Sequence, residues 1–350
     1  MLNIQQNVIL APFTSFKIGG PAKFFCEVSD EKELEEALEY AQDNNLSIYI
    51  LGGGCNVLVS DQGFNGLIIR LLDSRFQIHD SSVECGSGVK LSQVVKETSQ
   101  YNLTGLEWAS GIPGTVGGAI RGNAGAYESE MKDSVESVKV FCHSRPLRQS
   151  FSEASESGNP VLKTQKSKLP VKLRNGASDN GASKIQSYSL KTFEKKDCQF
   201  SYRNSLFKKN KNLIILSCVL KLEKGDKNEI SAKIKEVFEK RFKKLPTEPS
   251  AGSFFENPTV ENKALIERFE KDAGIRCVDD KIPAGWLIFE AGLSGKKIGG
   301  AKVSEKHGNF IINTGNAKAE DVVILASVIK QKIRKEFNIQ LKEEVQYVGF

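Results

Sequence analysis

The chain has 350 residues, 39% of them hydrophobic and 26% charged, with a formal net charge of +6. That length exceeds one compact core and predicts two or three domains of ordinary soluble, globular composition. No apolar run reaches the roughly 20 residues a membrane helix requires.

The opening residues lack a basic stretch followed by an apolar one, so no signal peptide and a cytoplasmic location are expected. The charge excess is local. Between His143 and Ser187, eight Lys or Arg meet three Asp or Glu, leaving 41 of the 49 basic and 40 of the 43 acidic residues elsewhere. Bulk charge thus gives no support for a nucleic-acid partner. The seven cysteines form no Cys-x-x-Cys pair and the histidines number three, so no metal site is expected and buried free thiols are.

In chain order, Leu34, Ala37, Leu38 and Ala41 keep helical spacing behind a Ser29-Asp30 cap. Ser47 to Leu51 reads as a buried strand and Gly66 to Leu72 as another, closing a βαβ-like unit near residue 73. Short strands follow at Phe76–His79 and Ser82–Cys85, then a helix over Leu91–Gln100 and a strand at Ser137–Phe141. The stretch 143–187 is rich in Ser, Asn, Gly, Lys and Pro without apolar period, and is expected to be a flexible insertion.

Structure is expected to resume at Tyr188–Phe193, with a strand at Leu213–Leu222 and a helix over Asn228–Lys243. A hinge-like break falls at Pro246–Pro249. Beyond it come a strand near Ser253–Phe255, helices near 261–272 and 319–336, and a last strand at Glu344–Val348. Strands and helices do not alternate strictly, which predicts α+β. The expected domains are 1–73, 74–225 and 226–350.

Two glycine-rich segments carry the chemistry. Gly52-Gly53-Gly54-Cys55-Asn56-Val57-Leu58 follows a strand directly, and without Cβ atoms its main-chain N–H groups can approach a phosphate. It matches neither a Walker loop nor Gly-x-Gly-x-x-Gly, and a tight turn accounts for three glycines equally well. Ser110-Gly111-Ile112-Pro113-Gly114-Thr115-Val116-Gly117-Gly118-Ala119 joins a turn to a helix start near Gly114-Thr115, whose N-terminal donors suit a pyrophosphate. Asn123-Ala124-Gly125 adds further small residues. Two such loops point to a long dinucleotide bound in extended form.

Further motifs run along the chain: Thr14-Ser15-Phe16-Lys17-Ile18-Gly19-Gly20, Tyr202-Arg203-Asn204-Ser205, Ala251-Gly252-Ser253-Phe254-Phe255 with Asn257-Pro258, Pro283-Ala284-Gly285-Trp286, Ile298-Gly299-Gly300, Ser304-Glu305-Lys306-His307 and Glu344-Val345. In this order they resemble the UDP-N-acetylenolpyruvoylglucosamine reductase family, flavoenzymes of the vanillyl-alcohol-oxidase-like superfamily.

The resemblance implies a two-subdomain FAD-binding module, a C-terminal α+β substrate-binding domain, and a reaction in which NADPH reduces FAD before a UDP-sugar enolpyruvyl group is reduced. It implies Ser253 as proton donor, Arg203 facing the substrate carboxylate and the developing enolate, and Glu344 assisting that enolate. Glu344 is chosen over Glu343 because Val345 follows it. The glycine loops, through Ala119 and with Asn123 and Gly125, would hold FAD; Tyr202, Asn257 and Asn309 would bind substrate.

A monomer without nucleic-acid partner or membrane insertion is expected, of the subgroup lacking a tyrosine-bearing lid loop. Cys55 stands where the family commonly has Ser, and Glu256 and Ser294 stand where it has Lys, which should weaken anion binding unless Lys296, Lys297 or another base substitutes. A related flavin oxidase and a non-catalytic nucleotide-binding scaffold are the competing readings.

Overall fold

The computed structural model describes residues 2–143 and 188–350. Apart from His143, the expected flexible insertion lies outside the described residues. Among them no helix is long and apolar enough to cross a membrane.

The first sheet has four strands in the order Gln5–Ile9, Pro21–Val28, Phe64–Leu71, Ser47–Leu51. Its first pair is antiparallel and the other two pairs are parallel. The helix Glu31–Asp43 makes a crossover between parallel strands. It starts where the Asp30 carboxylate accepts from Glu33 N at 2.8 Å, satisfying a donor the first turn leaves open.

The helix buries Leu34, Ala37, Leu38 and Ala41, the apolar positions read from the sequence. Each fully buried leucine contributes about 1.5–3 kcal/mol. The sequence reading did not include the strands Gln5–Ile9 and Pro21–Val28. Gln5–Ile9 is a largely exposed edge, while Pro21–Val28 buries Ala22, Phe25, Cys26 and Val28 in no clean alternation.

The second sheet is wholly antiparallel, ordered Tyr188–Glu194, Val135–His143, Leu213–Lys221, Ser82–Gly86, Phe76–His79. Phe141, Ile214 and Leu216 from this sheet pack into the same cluster as Leu34, Leu38 and Leu67, so the two sheets share apolar contacts. The third sheet is also antiparallel, ordered Ser250–Ser253, Phe310–Asn313, Ala301–Val303, Lys297–Ile298. The helices Lys263–Ala273, Ala284–Glu290 and Ala319–Phe337 supply much of its apolar cover. With the two sheets before it, this sheet makes the chain α+β.

The C-terminal strand Gln346–Val348 leaves the third sheet's neighbourhood and pairs in parallel with Val57–Val59, directly after the first glycine loop. The expected strand at Ser253–Phe255 instead covers Ser250–Ser253, because Gly252 at φ +79° creates a bulge. The expected strand start at Glu344 moves to Gln346: Glu344 N donates to Phe254 O at 2.9 Å rather than to the Val57–Val59 ladder.

Asp61 fastens the N-terminal region to the C-terminal one. Its two carboxylate oxygens accept from Ala319 N at 3.0 Å and Glu320 N at 3.2 Å, at the start of the helix Ala319–Phe337. An acceptor there satisfies unpaired first-turn donors and suits the positive end of the helix dipole. Asp61→Ala is expected to cost about 1 kcal/mol, read as a lower denaturation midpoint in urea at unchanged slope.

Candidate functional site

One cleft of about 350 Å³ opens where the three sheets approach one another, lined by both glycine segments and by residues of the third sheet and the C-terminal segment. Gly52 to Val57 form one wall, and Ile112 to Thr115 with Gly117 to Ala119 form another. The loops touch backbone to backbone. A Cβ on Gly53 would lie 2.7 Å from Gly114 Cα, and one on Gly52 would lie 2.8 Å from Thr115 Oγ1. Side chains at either position would close the groove.

Both loops supply donors. The main-chain N–H groups of Gly53, Gly54 and Cys55 have no acceptor among the described residues. In the second segment the main-chain N–H groups of Gly114 and Thr115, just ahead of the helix, likewise have no acceptor among the described residues. Its helix, Val116–Arg121, has only six residues. Val116 N and Gly117 N donate to Val89 O and Ser87 O, both at 2.9 Å, while Gly118 N donates to the Thr115 hydroxyl at 3.4 Å. The donors within the helix are thus spent inside the fold, which leaves Gly114 N and Thr115 N as those the second segment can offer a pyrophosphate.

The cleft chemistry otherwise fits a long anionic dinucleotide with a flat ring. Arg121, Arg203, Lys208, Lys211 and Arg241 line it as cations, with Glu344 the carboxylate among its lining residues. Ile112, Pro113, Leu213, Ile214 and Ile215 give apolar surface. The Ser87 and Ser110 hydroxyls and Arg241 Nε are buried without a partner among the described residues. Orphaned polar atoms beside a cleft need a ligand or water to satisfy them.

Arg203, Glu344 and Ser253 come from distant parts of the chain and share this cleft. Arg203 sits in a tight turn closed by Ser201 N to Asn204 O and Asn204 N to Ser201 O, both at 3.0 Å. Its φ of +53° is uncommon for a residue with a side chain. Arg203 Nε lies 3.1 Å from Glu344 Oε1, and its Nη2 donates to Gly125 O at 3.0 Å. The adjacent Glu343 is turned away, paired with Lys330 at 2.9 Å.

Glu344 has its pKa raised by burial, opposed by the Arg203 and Lys208 cations and assisted by the nearby Glu256. Its carbonyl accepts from Asn56 Nδ2 at 3.1 Å, which ties it to the first glycine loop. Ser253 ends its strand beside the Gly252 bulge, and its hydroxyl has no partner among the described residues.

Several sequence candidates do not line the cleft. Leu58 is fully buried in the C-terminal core with Phe16. Asn123 is fully buried; its amide donates to Glu130 at 2.9 Å and to Ser201 O at 3.0 Å, and so braces the Arg203 turn. Ser110 is buried behind the wall, and Gly111, at φ +73°, lies under Arg241. Tyr202 accepts from Asn257 N at 3.3 Å, and Asn257 Oδ1 accepts from Ala284 N at 3.0 Å.

Asn309 is 3% exposed and clamps Phe255, accepting from its N–H at 2.9 Å and donating to its carbonyl at 2.8 Å. Asn309 does not line the cleft, and its amide braces Phe255 with one bond at each end. Sequence reasoning missed Arg121, Lys208, Lys211, Arg241 and Gln346. Each is a single polar residue outside any glycine pattern, and only the fold turns it inward.

Asn309→Leu would leave a buried N–H and a buried carbonyl unpaired at about 1–3 kcal/mol each. A fall in urea midpoint of the size this implies is expected, with cleft residues untouched in sequence.

Two family models match the chain: an FAD binding domain over residues 22–144, and the UDP-N-acetylenolpyruvoylglucosamine reductase C-terminal domain over 242–348. The UDP-N-acetylenolpyruvoylglucosamine reductase of Caldanaerobacter subterraneus is 35% identical over 338 residues, covering 96% of this chain and 90% of the relative. That of Solibacter usitatus is 31% identical over 350 residues, covering 99% and 97%. A crystal structure of the Thermus caldophilus UDP-N-acetylenolpyruvylglucosamine reductase superposes with a TM-score of 0.70 at 28% identity, covering 99% of this chain and 100% of that one. With matches of this length, and a cleft of the kind a flavin dinucleotide needs, the chain belongs to the UDP-N-acetylenolpyruvoylglucosamine reductase family.

Proposed function

We propose that this chain is the NADPH-dependent, FAD-containing reductase that converts UDP-N-acetylglucosamine enolpyruvate to UDP-N-acetylmuramate for peptidoglycan synthesis. The observation that carries the reading is the convergence of Arg203, Glu344 and Ser253 on the glycine-walled cleft. We place it in the cytoplasm as a monomer, because one chain supplies all three groups and the phosphate-facing loop. We read its units as 1–73, 74–225 and 226–350.

Bound FAD would supply the hydride chemistry, passing NADPH's hydride to the enolpyruvyl double bond. The Gly53–Cys55, Gly114 and Thr115 amides and the cations Arg121, Lys211 and Arg241 hold the diphosphates, while Tyr202 and Asn257, bonded to each other beside Arg203, act from behind the cleft lining. Hydride addition drives an electron pair onto the carboxylate-bearing carbon, giving an enolate. Arg203, permanently cationic, faces that charge where it develops. Glu344, whose pKa burial raises, would in its protonated form donate a hydrogen bond to the same oxygen. The Ser253 hydroxyl, held by its short strand and free of other bonds, gives its proton to the carbon and completes the saturated product.

Three measurements test this reading. Ser253→Ala should lower kcat by about 10²–10⁴ while NADPH still bleaches the flavin at the wild-type rate, since only the second half-reaction uses the hydroxyl. An unchanged kcat would remove Ser253 from the chemistry. Gly53→Ala, with its Cβ against Gly114, should yield protein with much less bound flavin absorbance.

The third concerns pH. Burial raises the Glu344 pKa, and the role proposed here requires the protonated form. The rate kcat/KM for the UDP-sugar should therefore fall as pH rises through that pKa. Glu344→Gln should lack this alkaline limb, and a limb that survives the substitution belongs to another group.

A further inference from the structure

Lys208 is the last-but-one residue of the short helix Leu206–Lys209, which follows the Arg203 turn directly. Its ammonium lines the cleft and donates to the Arg203 carbonyl at 2.8 Å. The same nitrogen lies 3.9 Å from Glu256 Oε1, and both side chains are largely sheltered, at 23% and 21% exposure. A cation on the carbonyl of a residue with φ +53° fixes a backbone conformation that a side-chain-bearing residue rarely keeps unaided. The anchored residue is the one whose guanidinium meets Glu344 at 3.1 Å.

We propose that Lys208 is a positioning residue for this reaction: it locks the Arg203 turn through the Arg203 carbonyl and, held by Glu256, sets the charge balance around the Glu344 carboxyl. The proposal rests on the role given above to Arg203 and Glu344.

The groups that face Glu344 come from every element around it. Arg203 and Tyr202 come from the turn, Lys208 from the helix after it, and Glu256 from the segment after Ser253. Lys208 in turn faces Arg121 and Lys342 as well as the two glutamates. Burial disfavours its own charge and lowers its pKa, and Glu256 and Glu344 offset part of that effect. Lys208 and Glu256 therefore act on Glu344 with opposite sign. Removing the cation makes the carboxyl hold its proton to higher pH, and removing the anion makes it release the proton at lower pH.

The test uses the FAD-loaded enzyme in three variants, Lys208→Met, Lys208→Arg and Glu256→Gln, beside Glu344→Gln. Lys208→Met should lower kcat by about 10–100-fold, as expected for a misplaced Arg203, and should move the alkaline limb of kcat/KM to higher pH. Lys208→Arg should recover most of the rate and the wild-type limb. Glu256→Gln should move the limb to lower pH, a shift that does not depend on Lys208→Met folding.

A second readout is independent of turnover. The infrared band of the protonated Glu344 carboxyl, assigned by its loss in Glu344→Gln, should titrate with the same two displacements. Identical titration of that band in wild type, Lys208→Met and Glu256→Gln overturns the proposal. So does a rate loss in Lys208→Met that tracks a lowered melting temperature with an unmoved limb. If Glu344→Gln keeps the alkaline limb, the catalytic reading of Glu344 fails instead, and the infrared titration still decides the part played by Lys208.

Discussion

A guanidinium and a carboxyl meet 3.1 Å apart at side-chain exposures of 23% and 17%, and the chemistry of the cleft depends on how that meeting is arranged. Withdrawing two charges from water is costly, and in a partly dry site the attraction between them offsets only part of that cost. The carboxyl has a way out, because it can take up a proton. The arginine has none. Burial therefore favours a permanent cation facing an acid that carries its proton further up the pH scale than an exposed glutamate would. That combination suits a reaction in which negative charge appears briefly on a substrate oxygen.

Holding these groups falls to backbone far apart in sequence. Arg203 is presented by a four-residue turn braced by Asn123 and Lys208. Glu344 is placed by the bond from its N–H to Phe254 O, one residue from Ser253, and Phe255 is clamped by Asn309. The C-terminal segment then continues into the parallel pair with Val57–Val59, so the carboxyl is also registered against the first glycine loop. The cofactor wall, Ser253 and the electrostatic pair are thus connected through main-chain hydrogen bonds and through buried or part-buried side chains bonded to the main chain. Groups held this way lose little freedom when the reaction demands their alignment.

The cations expected at 256 and 294 are supplied differently. Glu256 faces Lys208, and the cleft carries Arg121, Lys208, Lys211 and Arg241, none of which belongs to a glycine motif. An acidic residue at 256 is tolerable because its charge is spent on a lysine that the turn requires. Ser294 lies among the partly buried residues of the C-terminal unit, and nothing in the structure explains the absence of a lysine there.

Local chemistry determined much of this protein from sequence alone. The cap at Asp30 and the spacing of Leu34, Ala37, Leu38 and Ala41 specify their helix without help from distant residues, and Gly52 to Gly54 specify an open loop after a strand. The ordered motifs pointed to the family and to its candidate residues. Tertiary structure decided what depends on partners far along the chain. It left the amides of Gly53 to Cys55 and of Gly114 and Thr115 open while pairing Val116 and Gly117 with Val89 and Ser87, so within one glycine segment some donors are available and others are not. It also turned Glu344 toward Arg203 and Glu343 toward Lys330, and spent the Asn309 amide on Phe255. Composition cannot distinguish such cases, because whether a polar group is available is a property of its neighbours in space.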